Sequence, residues 1–267
     1  MSMKIYAAIQ IGEGKAAKEK VCDDRILVDG RILEDGYVEI SVEMDAFSVA
    51  VADGVGGTGC GWKAATVALE NLAMWDCATI EDEYDLEDVF AKVDACVRTV
   101  AMESDAYMGT ASTLSGMIVK DRAVALLHVG DSRIYQLRNV QGHTILKQLT
   151  EDQNNLRKWK LEEEKNGRTF SEAEMKEAFG WNHITSYVGM KSEREFRENM
   201  VVEDYAPAEG VYIITSDGIH DFIDKKTFRK ILEGTDVWKE KIYEIMQVAR
   251  ENGSQDDQSI IVVDSTN

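Results

Sequence analysis

The stretch FSVAVADGVGG, residues 47–57, alternates larger and smaller side chains and then stops at an aspartate followed by glycines. The alternation predicts a strand over Phe47–Ala52. The glycines read as a tight turn that exposes Asp53 and its neighbouring carbonyls. The same pattern recurs along the chain. AVALLHV (123–129) runs into GDSR around Asp131, and VYIIT (211–215) runs into SDG with Asp217 and Asp221. Asp256 and Asp257 precede QSIIVV, and Asp23 and Asp24 follow a turn. One Asp-Gly alone is ordinarily a turn. If these strands share a sheet face, however, their ends gather carboxylates at one rim, where like charges push one another's pKa upward unless a cation intervenes. Hard divalent ions with oxygen ligands, Mn²⁺ or Mg²⁺ rather than zinc, resolve that conflict.

Composition limits the alternatives. The chain has 267 residues, 30 Lys and Arg against 49 Asp and Glu, a formal charge of −19, and 44% hydrophobic residues. That apolar content is enough to close a core, which argues against disorder. A field this negative repels phosphate backbones and acidic lipids, so neither a nucleic-acid nor a membrane partner is expected. No apolar run approaches the ~20 residues of a membrane span. The start shows no signal-like segment, and the four cysteines show no CxxC pair. Together these features predict a cytoplasmic protein with reduced thiols.

Further period-2 stretches predict strands at Lys4–Ile9, Tyr37–Val42, Ser112–Lys120, Ala123–Val129, Arg133–Leu137, Thr144–Leu149, Val211–Thr215 and Ser259–Val263. Short turns such as KDR and NVQGH make neighbours antiparallel, and DGRILEDG reads as a hairpin connection. Helical spacing appears at Gly61–Trp75, at Val237–Asn252 and from Asp85 to Val100, where an Asp cap is expected. Meanders and helices in separate runs predict an α+β fold. With one proline, Pro207, no linker divides the chain, so residues 1–267 read as a single domain. The charged stretch 155–181, with capping-box spacing at Ser171 and Glu174, reads as an insertion over the edge of the core.

Several chemistries drop out. GVGGTG (54–59) fits a dinucleotide fingerprint, but Asp53 would repel a pyrophosphate and no βαβ unit surrounds it. Read as a phosphate loop, it fails because Lys63 is out of register and Ala64 stands where a Ser or Thr would hold magnesium. The histidines are scattered, and no GxSxG elbow or activated cysteine is visible.

Taken in order, VCDDRILV, FSVAVADGVGG, MGTASTL, LLHVGDSRIYQL, LTEDQN, ITSYVG, YIITSDGIHDFI and GSQDDQSIIVV resemble the metal-dependent serine/threonine phosphatases of the PPM (type 2C) family, in a bacterial form. The resemblance spans nearly the whole chain. It implies two packed antiparallel sheets flanked by helices, an α-β-β-α sandwich with a binuclear metal centre at one end. By position, Asp53 matches the carboxylate bridging two ions, and Gly54 adds a backbone carbonyl. Asp217 and Asp256 match ligands of the first ion, and Asp23 stands at a ligand position of the second. Asp24 matches the residue that orients water, making it and Asp53 the catalytic pair. Asp131 and Asp221 match a third, weaker ion site. Residues 155–181 correspond to the family's flap. The implied reaction is direct attack of metal-bound water or hydroxide on a phosphoserine or phosphothreonine in a protein, with a Ser/Thr kinase or its targets as the substrate partners.

Three positions depart from the family pattern. Glu19 stands where an Arg usually clamps phosphate, leaving Lys18 or Lys20 as the expected phosphate-binding charge. Val55 stands where eukaryotic relatives place a His, and Gln153 where LTxDH has its His. The first departure motivates a rival reading, a pseudophosphatase that binds or scaffolds without turnover. A two-metal phosphatase for small metabolites is the third reading.

Overall fold

The computed structural model describes residues 3–18, 20–43, 45–55, 60–169 and 171–266. Glu19 and residues 56–59, which carry the clamp departure and most of the glycine turn, lie outside them. The strands in chain order are β1 (Met3–Gln10), β2 (Asp24–Val28), β3 (Arg31–Leu33), β4 (Gly36–Val42), β5 (Ala46–Asp53) and β6 (Leu114–Lys120). They continue as β7 (Ala123–Val129), β8 (Arg133–Val140), β9 (His143–Gln148), β10 (Val201–Pro207), β11 (Val211–Thr215) and β12 (Gln258–Asp264). Two six-stranded antiparallel sheets result, ordered β4-β1-β12-β11-β8-β9 and β10-β7-β6-β5-β2-β3.

Strand periodicity builds the layers. Ile5, Ala7 and Ile9 of β1 join Ile26 and Val28 of β2 and Val49 and Val51 of β5 in the core between the sheets. Tyr6 and Ala8 point the other way, because successive side chains alternate faces. The outer face of the first sheet is covered by α8 (Lys225–Leu232) and α9 (Trp238–Glu251), through Phe228, Ile231, Ile242 and Ile245. The outer face of the second is covered by α2 (Gly61–Ala73) and α3 (Glu83–Glu103), through Leu69, Leu72, Phe90 and Val93. Phe90 meets Phe196 of α6 (Glu193–Asn199) edge-on, with ring centroids 5.0 Å apart. The expected α-β-β-α sandwich is what forms.

Local expectations hold or shift for identifiable reasons. The KDR turn joins β6 to β7, with Asp121 and Arg122 both at positive φ. The cap of α3 is Asp82, whose carboxylate accepts the backbone N–H groups of Tyr84 and Asp85. The strand expected from Ser112 begins at Leu114, because Ser112 bridges Gly54 and Val188 singly and donates its hydroxyl to the Asp53 carbonyl. Strands β2, β3 and β10 were not expected. β3 has three residues, and β10 is a polar edge strand whose register shifts between Glu203 and Ala206; edges and bulges of this kind carry little alternation. The charged insertion holds two helices, α4 (Asn155–Lys165) and α5 (Glu172–Lys176), and Ser171 with Glu174 forms the capping box.

Asp94, fully buried on α3, accepts the N–H groups of Gly189 at 2.7 Å and Met190 at 3.1 Å and pairs with Arg98. It fixes the segment that runs beside Ser112. Asp94→Ala leaves two buried donors unpaired and should cost about 2–5 kcal/mol, read as a lower denaturant midpoint at unchanged slope. A midpoint equal to wild type would remove this tether from the account.

Candidate metal centre

Five strand ends meet at one end of the sandwich. Asp24, the first residue of β2, lies directly opposite Asp53, the last residue of β5, in the antiparallel register. Asp131 sits in the turn between β7 and β8, and Asp217 follows β11 at the start of the short helix α7 (Asp217–His220). Asp256 and Asp257 lead into β12. Asp53, Asp131, Asp217 and Asp256 line one cavity of about 700 Å³. Asp221 faces two adjoining pockets, and Asp23 and Asp24 stand behind the cavity, both buried.

Backbone geometry holds these groups close. A Cβ on Gly54 would collide with the Gly61 carbonyl, and one on Gly218 with the Asp257 carbonyl. Glycine at both places lets the main chains touch. Hydroxyls complete the scaffold: Thr113 Oγ1 accepts the Asp53 N–H at 3.1 Å and lies 2.8 Å from Ser132 Oγ. Ser259 Oγ donates to Asp24 Oδ2 at 2.6 Å, and Asn154 Nδ2 donates to Asp131 Oδ2 at 3.2 Å.

The electrostatics follow from this crowding. Burial, then the charges of Asp24, Asp217, Asp256 and Asp131, hold the Asp53 carboxyl well above the usual carboxylate range. Asp217 is raised likewise, by burial and then by Asp131, Asp256, Asp221 and Asp24. Burial, with the charge of Asp257, pushes Asp24 up to about 7. Asp131 also reaches about 7, through burial and then Asp152 and Asp221, against the hydrogen bond from Asn154. Asp221 reaches about 6 through burial, opposed by Arg133 and Lys176. Asp217 Oδ1 is buried and has no hydrogen-bond partner. An orphaned carboxylate oxygen in a set of mutually repelling oxygens is the donor chemistry that a hard divalent cation satisfies. Among the described residues no three acidic, His or Cys side chains close on one point as a preformed cage.

A lysine stands among the carboxylates instead. Lys15, on the four-residue helix α1 (Glu13–Ala16), places Nζ 2.6 Å from Asp257 Oδ2, 3.0 Å from Asp23 Oδ2 and 3.4 Å from Asp256 Oδ1. Burial works against its charge, but Asp257, Asp256 and Asp23 together raise its pKa above the ordinary lysine value. Asp257 also accepts the N–H groups of Gly12 at 2.8 Å and Asp23 at 2.6 Å, tying both to the residue that leads into β12. Lys18 and Lys20, the phosphate-binding residues expected from the sequence, are exposed and line the neighbouring pocket. Neither Lys15 nor the tethering role of Asp257 was expected. Asp257 carried a signal in standing beside Asp256, whereas Lys15 arrives on a single helical turn too short for periodicity to mark.

No family model matches the chain. The chain is similar to the serine/threonine protein phosphatase PstP of Mycobacterium tuberculosis, 29% identical over 234 residues that make up 85% of this chain and 42% of that protein. It is 26% identical over 221 residues to the protein phosphatase PhpP of Streptococcus pneumoniae, 80% of this chain and 84% of that one. The chain thus spans about two-fifths of the mycobacterial relative's length. The solved structure of Mycobacterium tuberculosis PstP/Ppp aligns with a TM-score of 0.73 at 19% identity over 99% of both chains. A PstP catalytic domain in complex with two manganese ions aligns at 0.71, with 19% identity over 98% of both. These structural likenesses show the fold.

The raised carboxyls make stability depend on pH. From the ordinary carboxylate range up to about 7, the folded chain holds protons on Asp24, Asp131 and Asp221 that the unfolded chain releases, so their contribution to stability falls as pH rises through that window. Metal-stripped protein should therefore lose thermal stability between about pH 5 and pH 7.5. Added Mn²⁺ should raise the midpoint more at the upper pH than at the lower. A Mn²⁺ effect equal at both would contradict this charge assignment.

Proposed function

We propose, from the premise that this chain is a homologue of bacterial serine/threonine protein phosphatases and has the PPM phosphatase fold, that it hydrolyses phosphoserine and phosphothreonine in proteins with the help of divalent metal ions. The observation that carries the reading is the convergence of Asp53, Asp131, Asp217 and Asp256 on one cavity, with a buried oxygen of Asp217 unpartnered. Asp23, Asp53, Asp217 and Asp256, with the Gly54 carbonyl, would hold a pair of Mn²⁺ or Mg²⁺ ions and Asp131 with Asp221 a third, the ions supplying the charge that activates water and screens the phosphate dianion.

The chain's own groups have definable parts in the reaction. Hydrolysis adds water across the P–O ester bond: its oxygen joins phosphorus, the serine or threonine oxygen leaves, and that oxygen takes up a proton. Asp24, fixed by the Ser259 hydroxyl and directly opposite Asp53, would be the carboxyl that orients the attacking water. Lys15, which pairs with Asp23 and Asp256 and lines the cavity, is a cation that could meet the phosphate; it is a point charge without the bidentate geometry of an arginine. Helices α4 and α5, over 155–176, are read as the flap beside the cavity.

One observation favours the rival reading, a binding module without turnover: Lys15 Nζ already pairs with Asp23, Asp256 and Asp257. A single assay separates the two. Purified protein with Mn²⁺ should release phosphate from a phosphothreonine peptide, and chelator should stop it. Asp53→Asn should lower kcat/KM by ~10²-fold or more, and Asp131→Ala by less. Equal release with and without chelator would contradict metal-dependent hydrolysis. No release at any Mn²⁺ level would favour the binding module, and faster hydrolysis of a sugar phosphate than of the peptide would favour the small-metabolite reading.

A further inference from the structure

A pocket of about 330 Å³ adjoins the carboxylate cavity and shares Lys15, Asp217 and Asp256 with it. Lys18, Lys20 and Trp181 also line it. Both lysines are exposed, and neither makes an ion pair with another described residue. Several neighbouring cations at this end of the sandwich are committed: Lys15 to Asp257, Arg133 to Asp152, Arg157 to Glu151 and Lys176 to Glu172. Lys176 Nζ also lies 4.8 Å from the centre of the Trp181 ring, which closes one side of the pocket.

In a chain of charge −19, the exposed Lys18 and Lys20, with no ion pair among the described residues, bring the lysines of this pocket to three against the carboxylates of Asp217, Asp221 and Asp256. Two ammonium groups at the rim of the pocket attract a negative group against the repulsion of the chain's overall charge. An extended peptide advances about 3.3 Å per residue, so a side chain one to three positions from the phosphorylated residue reaches an adjoining pocket. Lys15 is the lysine that lines the carboxylate cavity itself, whereas Lys18 and Lys20 line the adjoining pocket, where a different group of the substrate would lie.

We infer that Lys18 and Lys20 form a subsite for an acidic group flanking the phosphorylated residue, a carboxylate or a second phosphate, and so direct the protein to acidic or multiply phosphorylated segments. The inference rests on the phosphatase reading for the location of the scissile phosphate.

The test uses three phosphothreonine peptides of equal length, with neutral flanks, with glutamates, or with a second phosphoserine. At low salt, kcat/KM should favour the acidic peptides by about tenfold, and the preference should fade at high salt. The double variant Lys18→Ala/Lys20→Ala should bring the ratio of acidic-peptide to neutral-peptide kcat/KM close to one; Lys18→Gln and Lys20→Gln singly should each lower that ratio in part. A gain with both acidic peptides assigns the subsite to any anion, and a gain with the second phosphoserine alone assigns it to phosphate. Absence of preference in wild type, or a preference unchanged in the double variant, overturns the inference. Fluorescence anisotropy with the same peptides carrying a non-hydrolysable phosphonate, in Mn²⁺, keeps the two readings apart. Lysine-dependent preference in binding with no turnover of any phosphopeptide upholds the subsite and sinks the phosphatase. Turnover with no lysine-dependent preference in binding does the reverse.

Discussion

Mutual repulsion among aspartates at one end of the sandwich is the constraint around which this structure is organised. Asp24 and Asp53 face each other across β2 and β5, and Asp131, Asp217 and Asp256 close on the same cavity. Like charges placed opposite one another in a sheet oppose folding, and burial adds to the cost of ionising them. Such an arrangement persists only because the rest of the fold over-determines it. Three apolar layers, one between the sheets and one under each pair of helices, fix the strands whose ends carry the charges.

The chain relieves part of the repulsion internally. Lys15 neutralises the side of the cluster formed by Asp23, Asp256 and Asp257, and Asp257 uses both oxygens to hold Gly12, Asp23 and Lys15 at once. On the far side, Arg133 pairs with Asp152 and lies 3.9 Å from Asp221. Between these two cationic flanks, Asp53 and Asp217 have no basic partner among the described residues, and the unpartnered oxygen belongs to Asp217. The electrostatic demand for an added cation is therefore concentrated at the middle of the site. That distribution links the packing to the chemistry, since a group that answers the demand also neutralises an approaching phosphate.

Much of this was legible in the sequence. Strands buried on both faces, such as AFSVAVAD and QSIIVVD, have long apolar runs whose ends are marked by polar residues, and the candidate aspartates sit at or beside those ends. What was not legible has physical reasons. β10 is largely exposed and irregular because it is an edge strand paired with β7, with Val202 and Tyr205 packed on the core. Ser259 and Asn154 act on Asp24 and Asp131 across 235 and 23 positions of chain, contacts that no local pattern announces. Lys15 reaches the cluster from a single short helical turn, while Lys18 and Lys20, nearer in sequence to Asp23, stay at the rim. Proximity along the chain was a poor guide to proximity in the site.

The central claim is that these carboxylates exist to hold divalent cations. Titration calorimetry of Mn²⁺ into metal-stripped protein counts the sites without reference to any reaction. The account predicts saturable binding of two ions to each chain, with at least one lost in Asp217→Asn. Absence of saturable binding, or binding that Asp217→Asn leaves untouched, would contradict it.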